Sequence, residues 1–532
     1  MPNRSASVLR LILLNACEEL VPQLNGRTEM QIYQTISARS AGKRAVSTAR
    51  PKVLFIQPRL LFSGVMNSPN IGIAYIVAML EQAGFPVFVI DLTSTKRSKR
   101  SIGRFLRDES IAMVCAGGQT AVTPQSLEYL ALAKKVNPAI QTVVGGPHFS
   151  FTDVESLKDN ECIDVVVRGE AEYTMLELCQ AFGPDKDYEG ITGITYRSKQ
   201  GDIVRNSDRE LVANIDSLPR PGWNHFPVNT YHRFGTPMLG IISSRGCVYQ
   251  CKHCITWKTY DGRYRRRDPR LVVEEMAYVK KRYGVDTFFF HDDQSFAEPK
   301  EMASFLEALG QCPERLHWCM PSQVATLTRY RHLWPEMKRL GLFEIDIGLE
   351  AAQESQVEYY NKDYFGRDAV LAFLEEFENK LDIMVSAYMV IGSPDETEES
   401  MRATVGFIGE LAEQHLTRGM TAILTPFPGT DLYEELRTQN RILSRDWGKY
   451  DQRRLVMKTL VEPSRIRKYQ MVGFMGVGSP PYVRRMWNNR RSENRFRRDA
   501  AKTLMPLAIF GLLTGNYRKL RSFRNSLVAR ER

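Results

Sequence analysis

The chain lacks a long apolar run. Its longest late stretch, LMPLAIFGLLTG from Leu504, has about 12 residues, short of the roughly 20 that a membrane-crossing helix needs. A secretory leader is also missing from the reading: the early run LRLILLNA is short and meets Glu18 and Glu19 at once. Without export, the nine cysteines are not expected to form a disulfide framework, and a reducing cytoplasm is the expected location. Net positive charge is lacking outside the tail. Residues 464–532 hold 17 Lys/Arg against three acids, an excess of 14 within a total of +11, so the rest of the chain sits near −3. That excludes a nucleic-acid-binding body, which would itself be basic. What is present is ordinary for a globular protein, 43% apolar and 25% charged, and 532 residues suggest two to four domains.

Residues 1–50 read as a leader: a short helix near 7–20, then a polar linker. From Lys52 the pattern changes. KVLFIQP, FPVFVIDL, IAMVCAGG, TVVGGPH and IDVVVRGEAE read as buried strands, separated by helices such as IGIAYIVAMLEQAG and SLEYLALAKKVNP. This alternation predicts a doubly wound, Rossmann-like parallel sheet over 51–200, with ligands at the carboxyl ends of the strands. A plain flavodoxin-like domain with turn glycines fits the same pattern. GITGITYRSKQGDIVRN predicts a hairpin turning at Gln200-Gly201. The Pro-rich stretch over 201–235 reads as a linker, with His225 and His232 as surface or structural residues.

Residues 236–460 repeat strand and helix about six times, which predicts a partial (β/α)6 barrel of TIM type with its site at the strand carboxyl ends. In YRHLWPEMKRLG the helix is read as interrupted by Pro335. Residues 461–532 read as a helical basic extension. Its aromatics Trp487, Phe496, Tyr517 and Phe523 leave two options, a membrane-touching element or a cap on the barrel.

The most informative stretch is SSRGCVYQCKHC, where Cys247, Cys251 and Cys254 follow C-x3-C-x2-C spacing. Three thiolates on one loop can hold three irons of a [4Fe-4S] cluster and leave the fourth open. A structural zinc site wants four ligands, and His253 beside Cys254 would make a cramped fourth. Zinc and unligated core thiols stay as alternatives. Cys312 and Cys319 read as buried thiols, with a catalytic role open for Cys319 near a predicted strand end.

That spacing resembles the radical S-adenosylmethionine (SAM) superfamily, whose open iron takes the amino and carboxylate groups of SAM. His253 stands where the family has Phe, Tyr or Trp. The resemblance implies that Asp292 and Asp293 contact the methionine amino group, Glu350 the ribose, and Gly392 and His253 the adenine side. The alternative role for Asp292 and Asp293 is capping of the next helix. The preceding sheet is similar to the cobalamin (B12)-binding domain found before many radical SAM domains. There, loops like those at Gly118, Thr120 and Thr123, at Gly145 and Gly146, and at Glu170 approach the corrin. The D-x-H-x-x-G signature that supplies a cobalt-ligating histidine is absent. The resemblance implies an enzyme that methylates an unactivated carbon of a small-molecule or lipid-like substrate, served by a flavodoxin- or ferredoxin-type electron donor. The alternatives are a cobalamin-assisted oxidative cyclase and a cobalamin sensor with a structural cluster. No nucleic-acid partner is expected, and peripheral contact with the inner membrane surface is one option for the tail.

Overall fold

A computed structural model describes residues 50–59, 66–183, 188–415, 417–475 and 479–513. The helix read near residues 7–20 and the segment after Leu513 lie outside them.

The first sheet has seven strands. β1 (Val53–Gln57) is an inner strand and wholly buried, which suits its apolar run VLFI. It pairs in parallel with β3 (Val87–Asp91) and β4 (Met113–Gly117). β5 (Gln141–Gly145) and β6 (Val165–Val167) continue the parallel order. The hairpin β7 (Ile194–Arg197) and β8 (Ile203–Arg205) then closes that edge antiparallel. Helices α1 (Ile71–Gln82), α2 (Lys99–Asp108), α3 (Thr123–Val136) and α4 (Glu172–Gln180) flank the sheet. α1 starts where the Asn70 side chain accepts from Ile73 N.

The stretch expected as a linker is instead packed. Trp223, Phe226, Val228 and Tyr231 are buried in the core of the second domain, and Tyr231 donates to Asp91 Oδ2 at 2.6 Å. Its β9 (His232–Arg233) pairs on one side with β2 (Met66–Asn67) and on the other with β10 (Thr236–Pro237). Four large apolar side chains outweigh the loop signal of the prolines, because burying each is worth roughly 1.5–3 kcal/mol.

The second sheet is six parallel strands in chain order: β11 (Leu239–Ile241), β14 (Thr287–Phe290), β15 (His317–Ser322), β16 (Leu342–Glu350), β17 (Met384–Ile391) and β18 (Arg418–Ile423). The short pair β12 (Ser244–Arg245) and β13 (Arg265–Arg266) stands beside it. The crossovers carry α5 (Pro269–Tyr283), α6 (Pro299–Gln311), α7 (Trp334–Arg339), α8 (Arg367–Leu374) and α9 (Glu398–Gln414). Pro335 does not interrupt a helix. It stands in the first turn of α7 after a short 3-10 turn, where its missing N–H costs nothing.

After α10 (Asp431–Thr438), three helices cover the barrel: α11 (Pro463–Met475), α12 (Pro480–Asn489) and α13 (Arg495–Leu513). Phe496 stacks on Phe343 with ring centroids 3.9 Å apart. Arg497 pairs with buried Glu378 at 3.0 Å, and Tyr482 donates to Thr417 O. These contacts make the described part of the extension a cap. Among the described residues, no helix is long and apolar enough to cross a membrane.

Candidate functional site

The carboxyl ends of the two sheets face each other across a cavity of about 320 Å³. On the first sheet its floor is glycine. A Cβ on Gly117 would meet Gly145 O at 2.1 Å, and one on Gly146, at φ +96°, would meet Gly118 Cα at 3.0 Å. Only glycine lets β4 and β5 end this close together, and the result is a patch of bare backbone at Gly117–Gly118 and Gly145–Gly146. Gly118, Gly145, Gly146 and Glu170 line the cavity. Thr120 and Thr123 are buried behind it, and Thr123 Oγ1 has no partner. His148, next in the GGPH turn, is buried with both ring nitrogens unpartnered. Its ring lies edge-on to Trp447 at 4.9 Å.

Glu170 also holds the domains together. It accepts from Arg245 Nη1 at 2.8 Å and from Arg265 Nη1 at 2.8 Å, while Glu172 takes Arg245 Nη2 at 2.6 Å. Burial alone would raise the Glu170 carboxyl, but hydrogen bonds from Arg265 and the charge and hydrogen bond of Arg245 hold it below its usual range. From the barrel, Tyr260, His291 and Asp293 complete the cavity wall. His291 meets Ser68 Oγ at 2.9 Å across the domain boundary, and burial pushes its ring down to about 4.

The cysteine loop is held from beneath by the end of β14. Ser243 N and Ser244 N donate to Asp292 Oδ1 at 2.8 and 3.2 Å. Gly246 N donates to Asp293 Oδ2 at 3.2 Å, and Thr256 Oγ1 to Asp293 Oδ1 at 3.1 Å. These aspartates therefore cap the cysteine loop and not α6, whose N-cap is Glu298. Burial lifts Asp292 to about 7. Gly246, at φ +93°, passes so close to Arg263 O that a Cβ would clash at 2.0 Å.

Cys247, Cys251 and Cys254 are all free thiols. Burial pushes Cys247 up to about 11 and Cys251 up to about 12, and each is raised further by its neighbouring thiols. Among the described residues, no three His, Cys, Asp or Glu side chains converge on one ion position. His253 turns inward, its ring edge-on to Tyr360 at 5.1 Å, with Nδ1 buried and unpartnered. Cys319 is away from this loop, sealed beside Met238 and Phe343 under the barrel.

Glu350 ends β16 at φ +62°, after a register shift that follows Gly348, and accepts from Lys362 Nζ at 2.5 Å. Gly392 follows β17 at φ +80°, and its N–H donates to Glu396 Oε2 at 2.6 Å. A second opening of about 280 Å³ joins Asp293, Gln294, Asp346, Gly348, Lys362 and Tyr388. Arg245, Tyr260 and Lys362 were not singled out from sequence. Arg245, two residues before Cys247, was within reach of that reasoning.

Residues 62–179 match the family model of the B12 binding domain, and residues 241–408 match that of the radical SAM superfamily. An uncharacterized methyltransferase of Pyrococcus horikoshii is 28% identical over 392 residues, 74% of this chain and 83% of its own. The anaerobic magnesium-protoporphyrin IX monomethyl ester cyclase of Rubrivivax gelatinosus is 28% identical over 414 residues, 75% and 72% of the two chains. The cobalamin-dependent SAM radical enzyme OxsB, solved with aqua-cobalamin and SAM bound, shares the fold. Its TM-score is 0.65 at 14% identity, covering 91% of this chain and 75% of that one. A glycine-floored Rossmann-type sheet facing a three-cysteine loop on a partial barrel defines a two-cofactor radical enzyme. The chain belongs to the radical SAM enzymes that carry an N-terminal B12-binding domain.

Proposed function

We propose that this enzyme methylates an unactivated carbon of a small-molecule or lipid-like substrate, using a [4Fe-4S] cluster, SAM and cobalamin. The observation that carries the reading is that the glycine floor and the residues flanking the cysteine loop, Ser244 and Arg245 before it and Thr259 and Tyr260 after it, line one interdomain cavity. The residues fit these groups. Bare backbone at the ends of β4 and β5, where a Cβ on Gly117 or Gly146 would run into the neighbouring chain, suits a planar macrocycle. The orphaned Oε2 of Glu172, which lines the cavity, suits its amide rim, since buried polar groups seek partners. Cys247, Cys251 and Cys254 suit a cluster with one open iron.

When bound, the cluster with SAM supplies a 5′-deoxyadenosyl radical, and cobalamin supplies a methyl group. The protein's own residues hold and seal. Asp292 locks the backbone of Ser243 and Ser244 and so sets the approach to Cys247. In the proposed SAM site, Asp293 faces the amino group, Glu350 the ribose, and Gly392 and His253 the adenine. Arg245, clamped by Glu170 and Glu172, closes the domain boundary and keeps water from a reactive carbon radical. The proposed electron donor is of flavodoxin or ferredoxin type, because a cluster takes one low-potential electron at a time. The membrane contact read from the tail's composition rests on sequence alone.

A second reading, cobalamin-assisted oxidative ring closure without methyl transfer, is favoured by the cyclase relative. Anaerobic turnover with SAM, cobalamin and reductant separates them. Methyl transfer yields 5′-deoxyadenosine together with S-adenosylhomocysteine; oxidation yields the first alone. Reconstituted enzyme that makes neither product would remove both readings.

A further inference from the structure

We infer that Lys362 is the counter-charge of the cysteine loop: a buried cation, tethered by Glu350, that raises the reduction potential of the cluster held by Cys247, Cys251 and Cys254. The inference rests on reading that loop as a cluster site.

Lys362 is delivered to the loop by main-chain and side-chain ties. Lys252 N donates to Tyr360 O at 3.0 Å, and Asn361 Nδ2 donates to Gln250 O at 2.8 Å. The Tyr360 ring rests on His253. Tyr360 and Asn361, directly before Lys362, are thereby fastened to the loop on both sides of Cys251. Asn361 takes φ +56° to make the turn, a conformation that asparagine tolerates better than most residues. Gly348 leaves room: a Cβ there would lie 3.2 Å from Lys362 Nζ and 2.7 Å from Glu350 Oε1.

The loop's own lysines are committed elsewhere, Lys252 to Glu435 at 2.6 Å and Lys258 to Asp431 at 2.5 Å. Lys362 instead lines the opening it shares with Gln294, whose Oε1 accepts from the Cys247 thiol at 3.7 Å, and its charge opposes the upward push of burial on Cys247 and Cys251. A group that gains an electron gains negative charge. A cation beside it in a poorly solvated site favours the reduced form, with little screening by solvent.

The test is a redox titration of full-length, reconstituted enzyme with a titanium(III) reductant, followed by electron paramagnetic resonance, beside iron content and SAM binding. Lys362→Met should make the cluster at least tenfold harder to reduce, about 59 mV lower for one electron. Glu350→Gln should shift it the opposite way, and Lys362→Arg should stay near the parent. If Lys362→Met fails to hold iron, Glu350→Gln, expected above the parent potential, and Lys362→Arg, expected near it, still decide. Unchanged potentials with full iron content overturn the inference, and so does weakened SAM binding at an unchanged potential. Failure of the parent enzyme to hold four irons would instead overturn the cluster reading itself.

Discussion

Arg245 Nη1 and Glu170 Oε1 lie 2.8 Å apart and join the strand entering the cysteine loop to the last parallel strand end of the first sheet. Replacing Arg245 by Met leaves Glu170 and Glu172 buried without this partner. Removing one partner of a buried pair costs about 3–5 kcal/mol, so a lower thermal midpoint and faster loss of bound cobalamin on gel filtration are expected. Unchanged values would mean the pair is dispensable to the interface. Its pH dependence has a definite sign. Glu170 is held below its usual range, so its contribution is present above about pH 4.5 and is lost as pH falls through the folded value. The Arg245→Met midpoint should converge on the parent's in acid.

Cys251→Ala should leave both sheets folded by circular dichroism and remove the brown absorbance and SAM cleavage. A variant that keeps turnover sinks the cluster assignment.

Gly146→Ala should weaken cobalamin retention and cost about 1–3 kcal/mol for the forced φ. Gly190, also at positive φ with nothing within 4 Å of a built Cβ and outside the cavity lining, provides the comparison. Gly190→Ala should cost about 1–2 kcal/mol and spare cobalamin binding. Equal loss of cobalamin in the two variants would separate backbone strain from the cradle and remove the cradle's role.

Phe496→Ala should destabilise by about 3–5 kcal/mol, since the ring is stacked and buried against Phe343. Trp487, 50% exposed, should tolerate alanine within about 0.5 kcal/mol. Chemical denaturation of the two variants checks the capping role of the extension. A small loss at Phe496 would contradict it.

Much of this architecture was legible in the sequence because it rests on local signals. VLFIQ reads as a buried strand by its own apolar run, and the three cysteines share one loop. The aspartates were legible by position at the end of β14, but their hydrogen bonds to Ser243, Ser244 and Gly246 were not. Those bonds join residues nearly 50 positions apart. Lys362 had no local mark at all. Its neighbours Asn361 and Asp363 look like any turn, and only the pairing with Gln250 and Lys252 gives it a place. The packed stretch over 221–235 was misjudged because prolines signal loops more loudly than Trp223, Phe226 and Tyr231 signal a core.

The three-stranded sheet of β2, β9 and β10 has a consequence for how the protein can be divided. Although the two family matches read as separable cassettes, β9 takes its hydrogen bonds from a strand of the first half while its neighbours Trp223 and Tyr231 are buried in the second. A chain cut anywhere between Arg205 and Leu239 would leave one half with a bare strand edge or the other with an opened core. Exchanging the N-terminal half with that of a relative should therefore succeed only when the clasp travels with it.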